Sequence, residues 1–102
     1  MKPERFTAIV LDGHKGPGFE VPFDPAERWG VAQVRLWPGR RGYRVRGTVN
    51  TVRFESAVLG RSRRFFVLVT EEMAKAAKLR IGSKVEVSLL PAEESRPDPA
   101  RI

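Results

Sequence analysis

The sequence predicts a mainly β fold, a small closed barrel of six to seven short strands with two short helices. Runs of alternating apolar and polar residues recur along the chain, as strands with one buried face require. Turns rich in glycine and proline separate these runs at a spacing typical of barrels, and no βαβ rhythm is present.

The length of 102 residues predicts a single domain. We assign the barrel to residues 1–91 and a disordered tail to residues 92–102, whose composition offers little to bury. The absence of cysteine excludes disulfides, thiolate metal sites and cysteine nucleophiles, and it fits a cytoplasmic protein. No apolar run has the length of a signal-peptide core or a membrane span, so we expect no membrane association.

The N-terminal third is predicted to hold two strands and a helix. Residues 5–11 are apolar on both alternating faces, which predicts a first strand in the centre of the sheet. A glycine-rich turn at 12–18 leads to a second strand at 19–23. Asp24 begins a short helix as its N-cap, and Gly30 ends it.

The middle of the chain is predicted to form a hairpin that turns at Asn50-Thr51. Alternation over 43–54 sends valines to one face and arginines to the other. A strand at 31–37 precedes this hairpin.

The last third is predicted to contain two further strands and the second helix. Residues 65–69, FFVLV, form the most apolar run and predict a central strand. Thr70 begins a helix that we expect to end at Gly82, and residues 84–90 form the closing strand.

The positive charge is concentrated in one window of the chain. Residues 35–64 contain nine arginines, no lysine and one acidic residue, so the window carries +8 and the rest of the chain sums to −1. Such a stripe attracts polyanions, nucleic acid among them. Exposed arginines also keep sheet faces soluble, so charge alone leaves simple solubility open.

We take the outward arginines of this window and two aromatics expected to be exposed as candidate contacts to nucleic acid or another polyanion. They are Arg35, Arg44, Arg46, Arg53, Arg61, Arg63, Arg64, Tyr43 and Trp37. Arginines among aromatic rings are typical of single-stranded nucleic-acid platforms. The alternative is a small-ligand domain or minor enzyme with a pocket at a barrel end, near Trp29, Arg44 and Arg46.

No catalytic, cofactor or metal site is predicted. His14 is the single histidine, and the sequence supplies neither the further ligands of a zinc site nor a catalytic partner. The turn around Lys15 lacks the spacing of a phosphate-binding loop. Asp24 and Glu27 match a helix cap rather than a catalytic pair. We therefore expect a non-enzymatic, monomeric binding module.

Five motifs follow one another along the chain: FTAIV, VPFD with a short helix ending in WG, VRGTVN, FFVLV, and KLRIGSKVEVSL. Over residues 5–91 this order resembles the bacterial and archaeal domain-of-unknown-function family 1905, which often precedes a YdeI/OmpD-associated segment in other proteins. The resemblance implies a double-split β-barrel, as in AbrB/MazE/MraZ-like transcription factors, and no particular activity. The family tends to carry glycine where Thr51 stands and proline where Arg53 stands.

Overall fold

The computed structural model describes residues 2–13 and 16–92. These segments contain β1 Glu4–Ile9, β2 Leu11–Gly13, β3 Gly16–Val21, α1 Pro25–Trp29, β4 Val34–Trp37, β5 Arg40–Val49, β6 Val52–Arg61, β7 Arg64–Leu68, α2 Glu71–Ala77 and β8 Lys84–Pro91. The mainly β prediction and its two short helices are confirmed. None of the described helices is long and apolar enough to cross a membrane.

Seven of these strands form one antiparallel sheet in the order β1-β8-β5-β6-β7-β3-β2, and β4 pairs with β5 beside this path. The sheet curls until β1, at one end, approaches β3, the strand next to the other end. Phe6 on β1 and Phe19 on β3 have ring centroids 6.3 Å apart. The result is a curled half-barrel, and the gap between β1 and β3 is where closure of a barrel would lie.

The inner face of the curl holds the hydrophobic core. Alternation points Val45, Val58 and Val67 inward from neighbouring strands, and all three are fully buried. The helix α1 adds Trp29, whose ring packs edge-on against Phe23 with centroids 5.1 Å apart. Burial of each such side chain contributes roughly 1.5–3 kcal/mol, so the inner face supplies most of the stability.

Both helices begin at the predicted caps, but the second ends early. Asp24 Oδ1 accepts a hydrogen bond from the Ala26 amide at 2.9 Å, and Thr70 Oγ1 accepts one from Met73 at 3.2 Å. The prediction that α2 runs to Gly82 is wrong. Lys78 takes a left-handed conformation with φ 55° and ends the helix after Ala77.

The prediction that the first strand is central is also wrong. The chain kinks at Val10, whose amide and carbonyl bond to the loop before β8, and the segment divides into β1 and β2 at opposite ends of the sheet. Ile9 and Leu11 are consequently exposed by 45% and 46%. These two apolar side chains therefore lie on the surface and do not form a second buried face.

The predicted hairpin at Asn50-Thr51 is confirmed. Both turn residues have positive φ, 48° and 70°, as the mirror-image turns of hairpins require. Asn50 is held by two 2.9 Å bonds to Glu86, one from its own amide to the carbonyl and one from the Glu86 amide to Asn50 Oδ1. Thr51 is β-branched, so its conformation costs about 1–3 kcal/mol that glycine would avoid.

Ala92, which we assigned to the tail, is buried and donates to the Arg44 carbonyl at 2.9 Å. The rest of the predicted tail, residues 93–102, lies outside the described residues, as do His14 and Lys15.

Candidate anion-binding groove

The outer face of the sheet carries most of the candidate arginines. In the strand register, the residues on the opposite phase from the buried core valines point outward. The candidates on this phase are Arg44, Arg46, Arg53, Arg61 and Arg64. Because the sheet curls around its core, this outer face is convex.

A groove of about 850 Å³ lies on this outer face, lined by the β2–β3 hairpin on one side and the β4–β5 turn on the other. Leu59 of β6 and Phe66 and Leu68 of β7 also line it. Leu59 stands directly opposite Phe66, and Leu68 stands opposite Gly18 of β3. The outward phase of β6 and β7 is thus apolar here, and the groove has a hydrophobic floor.

Trp37 lies in the wall formed by the β4–β5 turn. The pairing of β4 with β5 shifts register between Arg35 and Trp37, so Trp37 comes opposite Arg40. The Trp37 side chain remains 38% exposed. The expectation that Trp37 is exposed is confirmed.

Basic side chains lie close together where β6 turns into β7. Arg61 and Arg64 stand directly across from each other and, with Ser62, line the groove. Arg40 reaches the same region, because its Nη2 donates to the Gly60 carbonyl at 2.9 Å. The side chains of Asp12, Arg40, Arg61 and Arg64 give this lining an excess of positive charge.

The positive charge of Arg64 is only weakly neutralised by an acidic neighbour. Arg64 Nε lies 3.8 Å from Glu20 Oε2, and both side chains are largely solvent-exposed. An exposed pair at this distance contributes little, typically about 0–1 kcal/mol, and salt screens it. The Arg64 charge therefore stays available to a ligand in the groove.

The family model described as Domain of unknown function (DUF1905) matches residues 6–89. The chain belongs to the DUF1905 family. The match runs from β1 into β8 and so spans the whole described groove. No curated protein gave a match.

This DUF1905 domain brings together only part of the predicted candidate set. Trp37, Arg61 and Arg64 share the groove, and Arg40 joins them although we did not select it. The other outward arginines, Arg44, Arg46 and Arg53, line neither this groove nor a second, smaller groove between β1 and β3. In the strand register, Arg46 stands opposite Glu55, and Arg35 stands opposite Arg41 on the β4–β5 hairpin. Arg63 lies in the β6–β7 turn.

The expectation that Tyr43 is exposed is wrong. Its side chain is 5% exposed and belongs to the inner core. Burial raises the pKa of the Tyr43 hydroxyl, the nearby Asp24 charge raises it further, and a hydrogen bond with Gln33 opposes both. Tyr43 is therefore a neutral core residue and offers no surface for stacking.

The alternative prediction places a small-ligand pocket near Trp29. Trp29 is 9% exposed, and its buried Nε1 has no hydrogen-bond partner among the described residues. Trp29 lines neither groove. The second groove, of about 430 Å³, follows the gap between β1 and β3 past Ile9 and Glu20. Within residues 2–13 and 16–92, no three histidine, aspartate or glutamate side chains gather as metal ligands would.

The sequence prediction does not include the hydrophobic floor. It places Leu59, Phe66 and Leu68 on strands and gives them no role on the outer face. The signal in the sequence that could reveal the floor is the run of apolar residues on the outward phase of β6 and β7. A sheet face covered only by solvent does not need apolar residues.

Proposed function

We propose that this DUF1905 domain is a non-enzymatic binding module that holds single-stranded nucleic acid in its outer groove. The observation that supports this most is the presence of an exposed indole and three guanidinium groups around one apolar floor. Bases stack on aromatic rings, while arginines bind phosphate oxygens through charge-assisted hydrogen bonds. Trp37 would hold a base, and Arg40, Arg61 and Arg64 would hold the backbone.

The apolar floor favours a single strand over a duplex. Base faces are stacked inside a duplex and cannot reach the partly exposed Phe66 and Leu68, whereas unpaired bases can lie against them. The remaining outward arginines on β5 and β6 offer further phosphate contacts where the strand leaves the groove.

We further propose that the architecture is the double-split β-barrel that the resemblance implies. The approach of β1 to β3 at the Phe6–Phe19 contact supports it. A cytoplasmic location is supported by the lack of cysteine, and a monomeric state by the high net charge of +7, which disfavours self-association.

The proposal is tested by titrating the protein with a fluorescent single-stranded RNA hexamer and its DNA counterpart at increasing salt. Two to three phosphate contacts predict that log K falls with log salt at a slope of about −1.4 to −2.1, since each contact contributes about −0.7. A matched duplex should bind more weakly than the single strand. No binding at about 50 mM salt, or an affinity that does not change with salt concentration, would contradict the proposal.

A small anionic ligand is the second candidate, and the groove volume favours it. About 850 Å³ falls within the range of small-molecule sites. The same assay separates the candidates. A mononucleotide that competes as strongly as the whole hexamer would support the small ligand, because a strand should gain affinity from each further phosphate.

A further inference from the structure

Two hairpin turns of this domain have similar positive φ values and different residues. Asn50 and Thr51 have φ values of 48° and 70°, and Ser62 and Arg63 have values of 52° and 65°. Such turns favour asparagine, aspartate or glycine, because other side chains crowd the backbone at positive φ. The two turns therefore serve as an internal comparison.

The β5–β6 turn is stabilised by its surroundings. Asn50 tolerates positive φ and is held to Glu86 by two hydrogen bonds. The flanking pair, Val49 opposite Val52, is apolar and stabilises the strands on either side of the turn.

Among the residues that the structure describes, the β6–β7 turn has none of these features. Neither Ser62 nor Arg63 is a residue that the geometry favours, and the flanking pair places Arg61 directly opposite Arg64. Like charges facing each other across a pair of strands destabilise it. Local sequence that opposes its own structure is typical of functional sites, where a ligand supplies the missing stabilisation.

The ligand that best fits this turn is an anion with two charges. Arg61 and Arg64 bring two guanidinium groups to one end of the groove, and Arg40 brings a third through its bond to Gly60. The Ser62 hydroxyl adds a donor beside them. A terminal phosphate monoester carries about −1.5 to −2 and three acceptor oxygens, while a bridging phosphodiester carries one charge and two free oxygens.

We propose that Arg40, Arg61, Ser62 and Arg64 form a clamp for the terminal phosphate of a nucleic-acid strand. This inference rests on the proposed function and specifies which strands the groove prefers. The clamp places the terminal phosphate at the β6–β7 turn and leaves the adjoining base for the apolar floor and Trp37.

The test compares three forms of one RNA hexamer, with a 5′ phosphate, with a 3′ phosphate, and with neither. One phosphorylated form should bind the wild-type protein at least about tenfold more tightly than the unphosphorylated form, as charged hydrogen bonds predict. In Arg61→Gln and Arg64→Gln that ratio should fall below about threefold. The matched control is Arg63→Gln, which removes the same charge from the same turn but from a residue that does not line the groove.

Thermal unfolding of the variants excludes a purely structural role. Removal of the Arg61–Arg64 repulsion predicts that Arg61→Gln and Arg64→Gln melt at or above the wild-type temperature. Loss of phosphate preference in a domain that is equally or more stable would support the clamp. A preference lost together with a large drop in melting temperature would contradict it.

The remaining outcomes separate this inference from the proposed function. Equal binding of all three hexamers, or a ratio that persists in Arg61→Gln and Arg64→Gln, would overturn the clamp and leave the groove as a general binding site. Failure of every hexamer to bind at low salt would overturn both.

Discussion

Gly47→Ala should destabilise the domain by about 3 kcal/mol or more, the upper end of what overpacking costs. A Cβ at position 47 would overlap the Ser88 carbonyl oxygen and come within 2.9 Å of its carbonyl carbon. Both atoms belong to the backbone of β8, so they cannot move aside as a side chain would. Displacement of β8 would also disturb Val87 and Leu89, which are buried in the core.

Gly60→Ala is the matched control on the neighbouring strand β6. Its added Cβ would meet the Phe65 ring at 3.4 Å and the Arg64 carbonyl oxygen at 3.9 Å, both ordinary contact distances. We expect a change within about 0.5 kcal/mol, as for substitutions that avoid core and caps. Urea denaturation of both variants checks the pair, and equal midpoints for Gly47→Ala and Gly60→Ala would contradict the close approach of β5 to β8.

Trp37→Ala should weaken hexamer binding by about tenfold, since loss of one stacked base costs about 1–3 kcal/mol. The salt slope should stay unchanged, because the arginines that contact phosphate remain. The partly exposed position of Trp37 predicts a small loss of stability, below about 1 kcal/mol.

Trp37→Phe is the control for this prediction, because phenylalanine keeps an aromatic face. It should retain most of the affinity. Wild-type affinity in Trp37→Ala would show that the indole does not contact the ligand. An altered salt slope would show that the substitution had displaced the arginines instead.

The features that sequence predicted well are those set by neighbouring residues. The β5–β6 hairpin follows from alternation on both sides of Asn50-Thr51, and the start of α1 follows from the Asp24 cap. The position of β1 depends instead on pairing with β8, some eighty residues later in the chain. Apolar residues on both faces of a strand cannot distinguish a central strand from an edge strand with an exposed patch.

The groove could be predicted only in part for the same reason. Arg61 and Arg64 belong to the arginines expected to point outward, but the sequence pattern cannot tell which outward residues meet. That depends on the curl of the sheet, on the β4–β5 bulge that positions Trp37, and on the β2–β3 hairpin. Tyr43 was misassigned because its place beside the arginines in sequence outweighed its phase, which matches the buried Val45.

The central claim, that the outer groove is the binding site, is tested most directly by the NMR signals of the two indole N–H groups during a hexamer titration. Trp37 lines the groove, and Trp29 is buried against Phe23 on the inner side. We predict that the Trp37 signal and the amides of residues 61–64 shift with saturation, while the Trp29 signal stays in place. Shifts confined to Trp29, or to the amides around Arg46 and Arg53 with Trp37 unmoved, would contradict the claim.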